Sequence, residues 1–496
     1  MMFSSPIFLF LFFPIVVSVH WFCGHKVRNY FLLLSSLIFY AWGEGRYVVL
    51  LLVSIVANYF FGIMIDRYRT PITAKLILLS ALIFNLGILL FFKYAAFFLQ
   101  TLITLSPFSH NVLSATDSKH LPIGLSFFTF QAIAYIIDVN RELHGSQRNP
   151  FKFALFMAMF PKITAGPIIR YSEIEPDLTK RTISFELFVS GVERFIFGLG
   201  KKVLLANVLA KAAEPIFLVP GSDLTLGLAW LGIICYTFQI YFDFSGYSDM
   251  AIGLGRMLGF RIQENFNYPY ISQTITEFWR RWHISLSSWF RDYLFIPLSY
   301  ALMTEKVRSR IAQGTDNSAA IRTFGTVAFV FTLCGLWHGA NWNFIVWGML
   351  HGVLIAMEGT LFSKLLKKCP RIIRHLYTLM AIMLTWVFFR TATLSSASDY
   401  FKALAGFGKG YGTTSYAAFY LDNEMIFTLM IALVASTPVI QWFKSSLVNV
   451  LDLQRMGAMQ TVLITSGKVW ILSIIFAYSL VALAAGTYNP FLYYQF

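Results

Sequence analysis

The stretch FTLCGLWHGANWNFIVWGMLHG, residues 331–352, contains a short polar break between two apolar segments. The break, His338-Gly339-Ala340-Asn341, places an imidazole in apolar surroundings, where it is costly unless it has a hydrogen-bond partner or a water-lined cavity. Gly335 and Gly339 would let backbone or a ligand approach this ring closely. Three tryptophans supply rigid walls with one N–H donor each: Trp337, Trp342 and Trp347. The pattern predicts a functional histidine inside a membrane protein.

The composition of the whole chain agrees with a membrane protein. Of 496 residues, 57% are hydrophobic and only 13% are charged, and the mean hydropathy is +0.64. Soluble domains carry about 25% charged residues. Apolar runs of about 20 residues recur without the alternation of a β-barrel. The sequence therefore predicts an all-α polytopic membrane protein, and no segment is long and polar enough for a separate soluble domain.

The formal net charge is +15, from 39 Lys and Arg against 24 Asp and Glu. Two explanations stay open. A positive-inside bias together with contacts to anionic lipids produces such an excess. Part of the basic surface could also gather an anionic, phosphate-bearing substrate. The cysteines show neither CxxC nor metal-ligand spacing, so no disulfide or metal site is argued for them: Cys23, Cys235, Cys334 and Cys369.

Candidate membrane spans follow one another along the chain. The first are residues 6–19, 30–42, 47–65 and 76–92, and later ones are 121–139, 224–244, 376–389, 425–442 and 470–485. Lys and Arg concentrate in the first and third connections, which places the N-terminus outside and these connections in the cytoplasm. Residues 95–105 are too short to cross and are expected at the outer interface. We expect roughly 11 crossings, with loop 107–120 outside and loop 299–322 inside.

The segment FKFALFMAMFPKITAGPIIR, residues 151–170, has an interrupted helical pattern. Pro161, Gly166 and Pro167 break the helix, and Lys162 lies in its middle. Irregular backbone at membrane depth is tolerated only inside protein or beside water. The pattern predicts a re-entrant or bent segment beside a cavity, and a single proline-kinked span is the alternative.

A second unusual block, residues 265–300, is rich in aromatic residues and also in charges. Glu277 and Arg281 have the spacing of a helical ion pair, and Arg280 and His283 would share a helix face. The block predicts amphipathic or re-entrant helices that enter the membrane from the cytoplasmic side.

His283, His338 and His351 are the histidines with aromatic, apolar neighbours. His351 is expected to form hydrogen bonds between helices. A neutral imidazole in an apolar cavity can act as general base for a hydroxyl. The chain has no GxSxG, HExxH or P-loop motif, so acyl transfer would have His338 activate the acceptor directly, without metal or a protein nucleophile.

Several further residues are candidates for the site. Arg280, Arg281 and Arg291 could meet phosphate oxygens of the donor, or they could pair with Glu277, Asp292 or lipid headgroups. Asn341 could hydrogen-bond near the site or cap the following helix. Asp243 could line an entrance, whereas Asp249 is expected to be a helix cap. The remaining candidates for substrate or donor binding are Trp282 and Trp337.

Four sequence blocks resemble the membrane-bound O-acyltransferase (MBOAT) family, and its bacterial alginate O-acetyltransferase subgroup in particular. In chain order they are FPKITAGPIIRY, YFDFSGYSDMAIGLGRMLGF, FWRRWHISLSSWFRDYLFIPL and LWHGANWNFIVWGMLHG. TWVFFR at residues 385–390 is similar to the C-terminal part of that subgroup. The resemblance extends from the first span to the last third of the chain. We expect a single domain of residues 1–496, with core motifs at about 120–355 and C-terminal helices at 376–496.

The resemblance implies a ring of transmembrane helices around a central tunnel, thinned by re-entrant helices. His338 matches the signature histidine of the family, and His283 matches its second histidine. The expected activity moves an acyl group from a cytoplasmic thioester, here acetyl-CoA, to a hydroxyl of an exported polysaccharide such as alginate. The protein is expected in a bacterial inner membrane, with periplasmic acetyltransferase- or esterase-like partners. No tightly bound cofactor and no nucleic acid are expected.

Two alternatives to this function remain at this stage. Within acyl transfer, the acceptor could instead be peptidoglycan, teichoic acid or another cell-wall polymer. A transporter would use His338 as a proton relay, but the two halves of the sequence show no duplication of the kind common in transporters.

Overall fold

The computed structural model describes residues 1–105, 121–302, 319–408, 410, 416–439, 458–486 and 491–492. All regular secondary structure in these ranges is helical. The expected loop 107–120, most of the basic loop 299–322 and the end of the predicted span 425–442 lie outside the described residues.

Long helices form the first part of the chain. A π-helical turn at Phe8–Phe12 leads into the first of them, and their bounds are α1 Phe13–Phe22, α2 His25–Glu44, α3 Val48–Arg67, α4 Pro71–Leu89, α5 Ala95–Leu105 and α6 Leu125–Asn140. A π-helical turn at Leu90–Tyr94 joins α4 to α5, so that one helical rod runs from Pro71 to Ile103. Residues 95–105 therefore continue a longer helix, because no helix-breaking residue interrupts this stretch, and their position at the outer interface stays a prediction.

Shorter and longer helices mix in the central part. Their bounds are α7 Pro150–Ala158, α8 Phe160–Ile163, α9 Tyr171–Lys180, α10 Phe185–Gly200, α11 Asn207–Leu218, α12 Leu226–Met257, α13 Ile275–Arg281, α14 Ile284–Phe290 and α15 Ile296–Leu302. The last part contains α16 Ala319–His338, α17 Trp342–Glu358, α18 Leu361–Lys368, α19 Arg371–Arg390, α20 Leu394–Leu404, α21 Asn423–Ala435 and α22 Ala458–Ala484.

Five helical stretches in the described ranges are long and apolar enough to cross a membrane: Lys26–Arg67, Pro71–Ile103, Leu226–Met257, Arg371–Arg390 and Val462–Ala484. Further apolar helices are shorter. Large apolar side chains are exposed on the outer helices, including Val56 and Phe60 on α3 and Ile474 and Val481 on α22. Such surfaces fit contact with lipid, whereas the number of crossings stays a prediction.

The backbone between residues 150 and 170 is broken and buried. Met159 has a non-helical conformation, with φ −51° and ψ 116°, which ends α7 and starts α8 in a new direction. Lys162 is fully buried and its Nζ donates to Oε1 of Gln131 over 2.5 Å. The alternative of one proline-kinked span is wrong, because two separate short helices occupy this segment.

Helices α13 and α14 are joined by a turn at His283. His283 has a φ of +43°, a left-handed conformation that interrupts the helical path after α13 ends at Arg281. The expectation that Arg280 and His283 share a helix face is wrong for this reason, and Arg280 is exposed while His283 is buried. The carboxylate of Glu358, at the end of α17, accepts hydrogen bonds from the N–H groups of Ile275 (2.6 Å) and Thr276 (2.9 Å), which caps α13.

Helices α16 and α17 pack closely through two glycines. A Cβ on Gly335 would lie 2.1 Å from the carbonyl oxygen of Phe344, and a Cβ on Gly348 would lie 2.2 Å from that of Phe331. A Cβ on Gly325, which belongs to the same helix as Gly335, would have no neighbouring atom within 4 Å. Only glycine allows the two backbones to approach this closely.

We expect Gly348→Ala to lower the melting temperature of the purified protein in detergent, because an added methyl group forces the two helices apart at a cost of about 1–3 kcal/mol. The control Gly325→Ala adds the same methyl group at an open helical position, where alanine is favoured over glycine by about 0.5–1 kcal/mol. Its melting temperature should be equal or higher. Equal losses in both variants would contradict the packing argument.

Candidate active site

His338 is the last residue of α16, directly before the polar break. Its side chain is only 4% exposed. The imidazole makes edge-on contacts with the rings of Trp347 and Phe389, at centroid distances of 5.1 Å each, and with Trp337 at 4.9 Å. The indole N–H groups of Trp337 and Trp347 are buried and have no acceptor among the residues that the structure describes. The surroundings of His338 are therefore aromatic, with two N–H donors that a polar ligand could use.

Trp342 does not belong to this wall. Its side chain is 51% exposed and packs against Phe97 at a centroid distance of 5.7 Å. The expectation of three tryptophan walls is corrected to two, because Trp342 opens α17 and points away from His338. The ring of Phe344 packs closely against Gly339: a Cβ added to Gly339 would lie 2.3 Å from Cε2 of Phe344.

Lys93 and Tyr94 hold the end of α16. Nζ of Lys93 donates to the carbonyl oxygens of Trp337 (2.5 Å) and His338 (3.2 Å), and the Tyr94 hydroxyl donates to that of Leu336 (3.0 Å). A cation at a helix C-terminus satisfies carbonyls that have no partner in the helix and interacts favourably with its dipole. The sequence analysis missed this pair, although a lone lysine inside the apolar run LLFFKYAAFF was a usable signal.

Asn341 caps the helix that follows the break. Its Oδ1 accepts the N–H of Asn343 (3.0 Å), and its Nδ2 donates to the carbonyl oxygen of Ala392 (2.9 Å). Asn343 in turn donates to the carbonyl oxygen of Thr391 over 2.7 Å. These hydrogen bonds connect the break beside His338 to the segment after α19. They use both the oxygen and the nitrogen of the Asn341 side-chain amide.

His283 is fully buried and is oriented by Asn265. Oδ1 of Asn265 accepts hydrogen bonds from the N–H (3.0 Å) and hydroxyl (2.8 Å) of Ser285, and Nδ1 of His283 lies 3.3 Å from the same oxygen. Because the backbone N–H of Ser285 can only donate, the Asn265 atom must be the oxygen, and His283 must carry its hydrogen on Nδ1. Nε2 is then the basic nitrogen of the neutral ring.

The structure brings the two histidines into one aromatic cluster. The ring of His283 lies 6.3 Å from that of Trp337, the neighbour of His338, and the two imidazoles are close enough to interact electrostatically. The ring of His283 also contacts the rings of Phe244 and Phe266, at centroid distances of 4.6 Å and 6.5 Å. Both rings therefore face protein rather than the outer surface.

His351 forms hydrogen bonds between helices, as its position suggested. Its Nδ1 accepts from the indole N–H of Trp279 (3.2 Å), so its Nε2 carries the hydrogen and donates to the hydroxyl of Thr385 (3.0 Å). Both ring nitrogens are used, which marks His351 as a structural link between α13, α17 and α19.

The candidate arginines lie at the C-terminal ends of α13 and α14. Arg281 pairs with Glu277 at 2.9 Å, and the exposed Arg291 pairs with Asp292 at 2.7 Å. Arg280 is exposed and forms no ion pair within 4.0 Å among the described residues. Trp282 is buried beside the turn at His283 and stacks on Phe278 at a centroid distance of 5.4 Å.

Asp243 lies in the core and not at an entrance. Its carboxylate forms an ion pair with buried Lys202 and accepts the backbone N–H of Leu492 over 2.8 Å. The neighbouring Phe491 stacks on Tyr247 and contacts Phe244, which also touches His283. Residues near the C-terminus therefore reach the surroundings of His283, which no pattern in the sequence indicated. No group of three or more potential metal ligands occurs in the described ranges.

Comparison with known proteins adds independent observations. A family model described as MBOAT, membrane-bound O-acyltransferase family, matches residues 125–313. A protein of Azotobacter vinelandii named probable alginate O-acetylase AlgI is 37% identical over 100% of both chains. Its namesake from Pseudomonas aeruginosa is 40% identical over 82% of this chain and 75% of its own. A peptidoglycan O-acetyltransferase of Helicobacter pylori is 34% identical over 82% of this chain and 80% of its own.

Full-length similarity at this level, with the apolar helices described above, establishes an O-acyltransferase that passes through a membrane several times. The chain belongs to the membrane-bound O-acyltransferase family.

Proposed function

We propose that the protein moves an acetyl group from acetyl-CoA on the cytoplasmic side to hydroxyls of an exported cell-surface polysaccharide such as alginate. The observation that carries this proposal is the 37% identity, along the whole chain, with a probable alginate O-acetylase. The protein would lie in a bacterial inner membrane with its N-terminus outside. It would work directly on the polysaccharide or through a periplasmic acetyltransferase- or esterase-like partner.

His338 is the proposed general base. It would take the proton of the acceptor hydroxyl while the oxygen attacks the thioester carbonyl, so that a C–O bond forms, the C–S bond breaks and the proton passes to the leaving thiolate. Its buried position beside aromatic rings supports this role, because a neutral imidazole is the basic form. The carbonyl bonds from Lys93 support it too, since they fix the backbone that carries the ring.

His283 is the proposed second catalytic residue. Two roles are open to it, orienting the donor or stabilising the tetrahedral oxyanion. With its hydrogen on Nδ1 and directed at Asn265, the neutral ring offers a lone pair at Nε2, and so it can accept a hydrogen bond but cannot donate one there. This tautomer favours the first role, in which Nε2 accepts a hydrogen bond from an N–H or hydroxyl group of the acyl donor. Stabilising an oxyanion would instead require a hydrogen-bond donor at Nε2.

The remaining candidate residues are proposed to bind the donor phosphates, to shape the site or to support its structure. Arg280 is the first candidate for a CoA phosphate because it is exposed and makes no ion pair with the described residues. Arg281 and Arg291 could contribute after exchanging their carboxylate partners. Trp282 and Trp337 would shape the chamber for the acyl group. Asn341 and Asp243 would support it through the helix cap and the ion pair with Lys202 described above.

Peptidoglycan is the second candidate acceptor, favoured by the similarity to a peptidoglycan O-acetyltransferase of Helicobacter pylori. The proposed reaction is tested with purified protein in liposomes and labelled acetyl-CoA, with alginate or peptidoglycan fragments as acceptor and with or without a periplasmic extract. We expect label in alginate and loss of thioester. Label in peptidoglycan alone would select the second acceptor. Substrate movement without thioester loss would overturn acyl transfer and favour a transporter.

His338→Ala should reduce acetyl transfer by about 10²-fold or more, because general base catalysis typically contributes about 10²–10⁴-fold. The protein should still fold, since the ring of His338 makes aromatic contacts at a helix end. The matched control is His351→Ala, which removes bonds to Trp279 and Thr385. It should lower the melting temperature while transfer per folded protein is largely kept. Near-normal transfer by His338→Ala would contradict the mechanism.

Asn265→Leu should lower kcat more than Asn265→Asp, because aspartate keeps an oxygen that accepts the hydrogen of His283 and leucine does not. Ser285→Ala is the control, since it removes one donor to the same oxygen without changing the contact to His283. We expect the order of kcat to be Ser285→Ala above Asn265→Asp above Asn265→Leu, measured with equal amounts of folded protein. Equal kcat values for Asn265→Leu and Asn265→Asp would show that Asn265 does not orient the ring of His283.

A further inference from the structure

A buried hydrogen-bond donor lies beside both candidate histidines. The side chain of Trp337 is 4% exposed, and its ring centroid lies 4.9 Å from that of His338 and 6.3 Å from that of His283. The indole Nε1–H of Trp337 has no acceptor among the residues that the structure describes. Buried donors are normally hydrogen-bonded, and an indole N–H can only donate. This group can therefore serve a ligand that brings an acceptor oxygen to the two imidazoles.

Neighbouring side chains fix the indole ring of Trp337. Phe130 stacks on it at a centroid distance of 5.4 Å, and Phe127 meets it edge-on at 5.7 Å. Trp289 stacks on Phe130 in turn, at 3.9 Å, and its indole N–H donates to the carbonyl oxygen of Phe130 over 3.0 Å. Lys93 holds the backbone of Trp337 through its carbonyl oxygen. A donor that is fixed in advance stabilises a developing charge without the cost of reorganisation during the reaction.

The proposed acyl transfer needs such a donor. While the acceptor oxygen attacks the thioester carbonyl carbon, the carbonyl oxygen gains negative charge. Nε2 of His283 carries no hydrogen in the tautomer set by Asn265. The nitrogen of His338 that takes the acceptor proton also carries no hydrogen during the attack. The imidazole nitrogens assigned to the reaction therefore accept hydrogen bonds, and the oxyanion still requires a donor.

We propose that the indole N–H of Trp337 donates a hydrogen bond to the thioester carbonyl oxygen and stabilises the oxyanion of the tetrahedral intermediate. This role rests on the proposed acyl transfer. Formation of the new C–O bond moves the π electrons of the carbonyl onto its oxygen, and they return when the C–S bond breaks and the thiolate leaves. His338 carries the acceptor proton to that thiolate, and the N–H bond of Trp337 stays intact throughout.

The test compares Trp337→Phe with Trp279→Phe in the full-length protein, with labelled acetyl-CoA and alginate fragments. Trp337→Phe keeps an aromatic ring and removes the N–H, so kcat should fall by about 10²–10³-fold. The KM for acetyl-CoA should change little, because the hydrogen bond strengthens only as charge develops. Trp279 is the matched control: it is 5% exposed, and its N–H is already bonded to His351. Trp279→Phe should lower the melting temperature and largely keep kcat per folded protein.

A second replacement separates loss of the N–H from loss of ring volume. Benzothienylalanine at position 337 keeps a two-ring side chain of similar shape and has sulfur in place of the N–H group. It should lower kcat as Trp337→Phe does. Natural kcat in the folded benzothienylalanine protein would overturn the role of Trp337 while acyl transfer by the natural protein stands. Absence of thioester loss in the natural protein would overturn acyl transfer, and this role with it.

Discussion

A break in a helix inside an apolar protein leaves backbone carbonyl and N–H groups that need partners, and both candidate histidines lie at such breaks. At the first break, Lys93 donates to the carbonyl oxygens of Trp337 and His338, and Asn341 caps the helix that follows. At the second, Asn265 accepts the N–H of Ser285 beside the left-handed turn at His283. The groups that stabilise the breaks thus also fix the backbone of the two imidazoles.

Close packing between helices then brings side chains from different elements against the two imidazoles. The backbones of α16 and α17 meet at Gly335 and Gly348, so the residues after the break lie beside those before it. Trp347 of α17 therefore packs against His338, and Trp337 of α16 contacts His283 in the turn between α13 and α14. Lipid supplies no hydrophobic force between helices, so such contacts depend on van der Waals packing and interhelical hydrogen bonds. His351, bonded at both ring nitrogens, is one of those interhelical links.

The cations of the chain fall into two groups according to their partners. Arg281 pairs with Glu277, Arg291 shares the carboxylate of Asp292 with Arg170, and buried Lys202 pairs with Asp243. The pair of Arg281 lies within α13 and that of Arg291 joins adjacent residues, whereas the pair of Lys202 connects two distant parts of the chain. Arg181 instead contacts a histidine and an asparagine and lies over the ring of Phe260. Net charge of the whole chain could not make this distinction, because it depends on which carboxylates the fold places within reach.

The sequence by itself determined the class of protein, the family and the residues of interest. Apolar runs require helices in lipid, and an imidazole such as His338 among them is costly enough to mark a site. Only the tertiary structure decided which of the expected contacts form. Trp342 is exposed and does not contact His338, and Asn341 caps α17. Lys93, which is distant in the sequence, donates to carbonyl oxygens at the end of α16. The reason is physical: local patterns follow from the backbone and from solvent preference, whereas hydrogen-bond partners far apart in the chain are set by the packing of helices.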